Sequence, residues 1–80
     1  MIKLTEDEKI ILKNINFKYK WLARDKDDRL MVYENKPKRM GNLWNANKGD
    51  FIQLDIFPDL FKSITWDDEP YLIERYKSYF

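Results

Sequence analysis

Three groups of residues in this chain have the types and spacing that chemistry could use. The first is Asp25-Lys26-Asp27-Asp28, which opens like a calcium loop. An EF-hand asks for oxygen ligands at positions 1, 3, 5 and 12 and a glycine at position 6. Counted from Asp25, position 5 is Arg29, position 6 is Leu30 and position 12 is Lys36. Two cations and a branched side chain stand where oxygens and a glycine are needed, so the segment reads as turn chemistry, with no metal assigned. The second group is Asp67, Asp68 and Glu69. Paired carboxylates perform glycosidase-type acid–base work when a deep cleft holds them, which a chain of this size seldom builds. Helix capping accounts for them more simply.

The third group is Lys36, Pro37, Lys38 and Arg39, with Trp21, Tyr33 and Trp44 nearby in the sequence. Cations grip phosphates, and exposed rings stack on bases or anchor protein interfaces. The acidic neighbours Asp25, Asp27, Asp28 and Glu34 would repel a phosphate chain. The chain has no His and no Cys. That removes the nitrogen and sulfur donors of tight zinc and iron–sulfur sites, and with them Ser-His-Asp and Cys-His catalysis. No glycine-rich phosphate loop is present. The expectation is a non-enzyme with no catalytic residue, no cofactor and no metal.

The elements that must position these groups follow from composition and pattern. Eighty residues make a single domain, 1–80, with a small core. Five Phe, five Tyr and three Trp supply bulk in place of disulfides, and a homodimer would be a second remedy. No apolar run approaches a membrane span, and the start, MIKLTEDEK, turns acidic by residue 6. Together with the missing cysteines this points to a cytoplasmic protein. Net charge is +1, but residues 1–40 carry eleven basic and seven acidic side chains while residues 41–80 carry four and seven. Such asymmetry marks a partner surface or two halves that neutralise each other.

Thr5 and Glu8 form a capping box, which predicts a helix over 6–14. Residues 17–24 and 29–35 flank a turn-rich centre and predict a hairpin. A three-residue loop at Lys26, Asp27 and Asp28 sets Trp21 opposite Tyr33, Leu22 opposite Val32 and Lys20 opposite Glu34. This register requires Asp28 to be left-handed. Residues 35–50 read as a loop interrupted by Leu43 and Trp44, which plug back onto the body. Alternation over 51–57 predicts a half-buried strand ended by Pro58. Asp68 or Glu69 caps a last helix with Pro70 in its first turn, running to residue 80.

The expected fold is therefore α+β: a small two-layer domain whose three-stranded antiparallel sheet carries the N- and C-terminal helices on its aliphatic face. Its other face, with Tyr19, Trp21 and Tyr33, is then left open. On this reading Trp21, Tyr33, Lys36, Lys38, Arg39 and Trp44 bind a partner. A protein is the first expectation, and single-stranded nucleic acid the alternative.

Two stretches also carry a resemblance. YKWLARDKDDRLMVYENKPKR (19–39) and LFKSITWDDEPYLIE (60–74) resemble a family of small proteins encoded by phages and prophages of Gram-positive bacteria. Its members show Y-K-[YW]-[IL]-x-R-D-x-D-G-x-L-x-[VI] and, later, L-F-x-x-I-x-W-x-[DE]-[DE]-x-P. The two stretches cover nearly half the chain. Asp28 stands where the family commonly has Gly. The resemblance brings no activity, cofactor or catalytic residue with it. It implies a bacterial cytoplasm and, by analogy with phage accessory proteins, binding to host or phage macromolecules, in some cases to block host defences.

Overall fold

The computed structural model describes residues 2–54 and 59–73. The chain opens on helix α1, Glu6–Asn14, in the place the capping box requires. The Glu8 amide donates to Thr5 Oγ1 at 3.2 Å, and the Thr5 amide donates to Glu8 Oε1 at 2.9 Å. Glu6, Asp7 and Glu8 sit at the positive end of the helix dipole, and Lys13 at the negative end. Glu8 has a second task. Its buried carboxylate also accepts the amide of Phe61, a fully buried residue at φ 60°. A left-handed phenylalanine is strained by about 1–2 kcal/mol. It persists because its neighbours hold it from both sides: Glu8 binds its N–H, while Ile64 N–H and Arg24 Nη2 bind its carbonyl.

Strands β1, Trp21–Arg24, and β2, Leu30–Tyr33, form the expected hairpin. Trp21 pairs with Tyr33 and Leu22 with Val32, as the pattern of side chains demands. The proposed Lys20–Glu34 pair falls just beyond the four paired positions. Asp25 N–H donates to Arg29 O at 2.8 Å and Asp28 N–H to Asp25 O at 2.9 Å, which closes the loop at residues 26–28. Asp28 takes φ 78°, the left-handed conformation that this register needs.

Beyond this hairpin the chain departs from expectation. Within the expected loop 35–50, residues 38–45 are regular structure. Strands β3, Lys38–Met40, and β4, Leu43–Asn45, form a second hairpin around Gly41 and Asn42. Gly41 at φ 63° supplies the first position of a two-residue turn, where only glycine is unstrained. Strand β5, Phe51–Gln53, pairs with β2, placing Val32 opposite Ile52. Residues 55–57 of the predicted strand, and Pro58, lie outside the described residues.

The predicted last helix is corrected at its start. Tyr71–Leu72 is a strand, β6, pairing antiparallel with β1. Ile73 N–H extends the pairing to Lys20 O at 2.8 Å. A proline without an N–H opens a strand as readily as a helix, so Pro70 is compatible with both. The open edge of β1 decides, because its backbone groups need partners. Asp68 caps a turn instead: its Oδ2 accepts Thr65 N–H at 2.8 Å and Thr65 Oγ1 at 3.2 Å. The remainder of that helix, 74–80, lies outside the described residues. The fold is thus α+β: among the described residues it has one short helix, a four-stranded antiparallel sheet in the order β5-β2-β1-β6, and the separate β3–β4 hairpin.

Alternation along β1 and β2 gives the sheet two unlike faces. Leu22, Leu30 and Val32 join Leu12 of α1, Tyr19, Leu54, Phe61, Ile64 and Ile73 in the main core. Tyr19 belongs here and not on the aromatic face, because a turn at Asn16–Tyr19 precedes β1 and breaks the alternation. Arg24 ties the 61–64 segment down. Its Nε donates to Ile64 O at 2.7 Å, Nη2 to Phe61 O at 2.9 Å and Nη1 to Asp28 O at 2.9 Å. The other face carries Ala23 and Tyr33, with Trp21 and Met31 beside them, and Trp44 of β4 and Trp66 pack onto it.

Candidate interaction surface on the second hairpin

The β3–β4 hairpin has an inner and an outer side, set by its pairing. Residues directly opposite each other on antiparallel strands project to the same side. Arg39 pairs with Trp44 and faces the body. Lys38 pairs with Asn45 and Met40 with Leu43, on the outer side.

The inner side is built from long-range contacts. Trp44 is 6 % exposed. Its ring N–H donates to Arg24 O at 3.0 Å, and its backbone N–H donates to Asp25 Oδ1 at 2.9 Å. Tyr33 is 3 % exposed and its hydroxyl donates to Trp44 O at 3.3 Å. The Arg39 guanidinium lies over two rings at once, 4.7 Å from the centroid of Trp44 and 4.6 Å from that of Trp66. Its Nη2 also reaches Trp66 O at 2.6 Å. A planar cation resting on two adjoining indoles, whose centroids are 5.7 Å apart, is favourable both electrostatically and as packed area. This clamp bolts the hairpin to the 59–73 segment. The expected open aromatic face is therefore covered, because the chain's own hairpin occupies it. Tyr33 and Trp44 are interior residues.

Burial shapes the titration of two groups here. It raises the Asp25 carboxyl above the ordinary aspartate range, against the lowering by the Trp44 N–H and Arg29; Asp27 pushes the same way as burial. It pushes the Tyr33 phenol up to about 12, with the Asp25 carboxylate adding to the effect. The carboxylates of the first turn are engaged locally. Asp27 lies 3.3 Å from Arg29 and Asp28 3.7 Å from Arg24. Among the described residues no group of three or more acidic side chains could hold a metal ion.

The outer side is different in kind. Met40 and Leu43 are 56 % and 51 % exposed, side by side at the hairpin tip. Next to Met40 lies a cleft of about 380 Å³ lined by Asn35, Lys36, Lys38, Met40, Asn45, Asn47 and Lys48, with no carboxylate in its lining. Gly49 lets its rim close. At φ 87° it brings Lys48 O to 2.9 Å from Asn35 Nδ2, and a Cβ there would stand 2.6 Å from that same nitrogen. Lys36 and Lys38 also border a second cleft, with Pro37, Arg39, Trp44 and Glu69.

The structure thus gathers four of the six predicted site residues, Lys36, Lys38, Arg39 and Trp44, around one cleft. Trp21 is half-buried, with the Lys36 ammonium 5.3 Å from its ring centroid. Tyr33 lies outside that cleft. Sequence reasoning missed Trp66 as the second wall of the Arg39 clamp, and Met40 and Leu43 as a paired apolar tip. The signal was present in KRMGNLW, where a Gly-Asn turn separates two short alternating runs. Among the described residues no helix is long and apolar enough to cross a membrane. No family model, no curated protein and no solved structure matches this chain.

Proposed function

We propose that this chain is a phage- or prophage-type accessory protein of the bacterial cytoplasm, acting as a non-enzymatic protein-binding module through the outer side of its second hairpin. One observation carries the reading. Met40 and Leu43 sit exposed at the tip of a hairpin whose inner side is fastened by a buried tryptophan and a two-ring arginine clamp. An exposed apolar pair costs solubility, and on a rigid support it makes an anchor with little ordering entropy to lose on binding. The phage-family resemblance and the absence of His, Cys and a phosphate loop support the non-enzymatic part. Stacking of nucleic-acid bases on Tyr33 and Trp44 loses its support, since both rings are interior.

The test is affinity capture from a nuclease-treated host lysate with three baits: the native chain, the Met40→Asp/Leu43→Asp double variant, and Ile10→Asp at an exposed position of α1. The expected result is a protein retained by the native chain and by Ile10→Asp but lost from the double variant. The double variant should unfold within about 0.5 kcal/mol of the native chain, as exposed substitutions do. Equal capture by all three baits overturns the reading.

A further inference from the structure

Resting on that reading, we propose that the partner is recognised through an acidic segment, with its carboxylates on Lys36, Lys38 and Lys48 and an apolar side chain against Met40. The lining of the cleft is the argument. It holds three lysines, three asparagines and one methionine. Among the described residues, none of the three lysines takes part in an ion pair. Among the described residues, two carboxylates beside the cleft face other partners: Glu34 Oε1 accepts Asp50 N–H at 3.0 Å, and Asp50 pairs with Lys18. The three lysines therefore outnumber the carboxylates beside them, Glu34 at the Gly49 rim and Glu69 in the adjoining cleft, and the cleft keeps a net positive charge.

Three further features select a polypeptide carboxylate over a phosphate backbone. The rings that would stack bases are buried beneath the hairpin, and the ring of Trp21 already faces the Lys36 ammonium. Glu69 borders the adjoining cleft, so a polyanion continuing past Lys38 would meet a like charge. Asn45 and Asn47 are amides able both to donate and to accept, which suits the alternating N–H and C=O groups of an extended peptide. Lysines present point charges on flexible stems. They suit scattered carboxylates, whereas guanidinium forks suit planar bidentate recognition, and here Arg39 is already engaged with two rings.

The test uses three fluorescently labelled probes: a short Asp/Glu peptide with one central Leu, the same peptide with Asn/Gln in place of its acids, and oligodeoxythymidine of equal length. Anisotropy titrations are made with the native chain and with the Lys36→Gln/Lys38→Gln/Lys48→Gln variant. The expected result is binding of the acidic peptide alone. Its affinity should weaken about tenfold or more as salt rises from roughly 0.05 to 0.5 M, because exposed charge pairs are screened. The lysine variant should lose most of that binding while keeping its circular dichroism. Three outcomes overturn the proposal: no acidic-peptide binding at low salt, undiminished binding by the lysine variant, or tighter binding of the oligonucleotide. Should lysate capture still depend on Met40 and Leu43 while the acidic peptide fails, the module reading stands and the acidic partner falls.

Discussion

The two hairpins of this chain obey the same pairing rules and owe their stability to different sources. In the first, turn and register are set locally. Turn residues occupy residues 26–28, and one register satisfies both Trp21–Tyr33 and Leu22–Val32. Its aliphatic side chains enter the main core from adjacent positions of the sheet. The second hairpin is three residues per strand, which is too short to stand alone in water. It exists because Asp25, Arg24, Tyr33 and Trp66, distant in sequence, receive its inner side. A hairpin that is self-specified can serve as scaffold. A hairpin that is held only from one side keeps its other side available for a partner.

That contrast can be broken most forcefully at Trp44. Trp44→Ala removes the buried ring and its hydrogen bond to Arg24 O, and the expected loss is about 3–5 kcal/mol. Urea unfolding measures the total. Hydrogen exchange sharpens it: amides of β3 and β4 should lose protection while Leu22 and Val32 retain theirs. Simultaneous loss in both hairpins would show one cooperative unit and erase the distinction.

A smaller effect of opposite sign is expected in the first hairpin. Asp28 is held at φ 78°, where a side chain is strained and glycine is not. Asp28→Gly should stabilise the chain by about 1 kcal/mol, since only an exposed 3.7 Å contact with Arg24 is given up. Denaturant midpoints decide this, and a loss of stability would mean that the Asp28 carboxylate matters more to Arg24 than its strain costs.

The smallest effect lies where the hairpins meet. The Asp25 carboxyl, raised mainly by burial, holds its proton to higher pH in the folded chain than in the unfolded one. Its stabilising contribution is complete below the unfolded value of about 4 and is lost as pH rises through the folded value. Asp27 and Arg29 act on it in opposite directions, and Trp44 N–H favours the charged form. Asp25→Asn keeps an acceptor for Trp44 and removes the titration. The difference in stability between variant and native chain should therefore move in favour of the variant as pH rises from about 4 to 7. A flat difference would mean that Asp25 is ordinary.

The structural difference between the hairpins also explains what could be read in advance. The helix 6–14, the first hairpin, its register and the left-handed Asp28 follow from contacts no more than about a dozen residues apart, and all were legible. The α+β class was legible for the same reason. The strand at Tyr71–Leu72, where a helix was expected to begin, was not, because Pro70 and the acids before it fit a helix start and a strand entry equally well. The free edge of β1 made the choice. Trp21 and Tyr33 were correctly assigned to one face, but Tyr19 joins the opposite core, and the exposure expected of that face was wrong. Whether Trp21 and Tyr33 meet solvent depends on where the segment 38–45 lands.

By itself, the sequence determined which residues pair in the first hairpin, which cations cluster at 36–39, and that His- and Cys-based chemistry is unavailable. Such features depend on side-chain type and short spacing. Only the tertiary structure decided that Arg39 rests on two adjoining tryptophans, that Trp44 and Tyr33 are interior, and that Met40 and Leu43 face water. Burial is a property of what covers a residue. Here the cover comes from segments ten to forty residues away, whose landing place is set by packing and by backbone groups in need of partners.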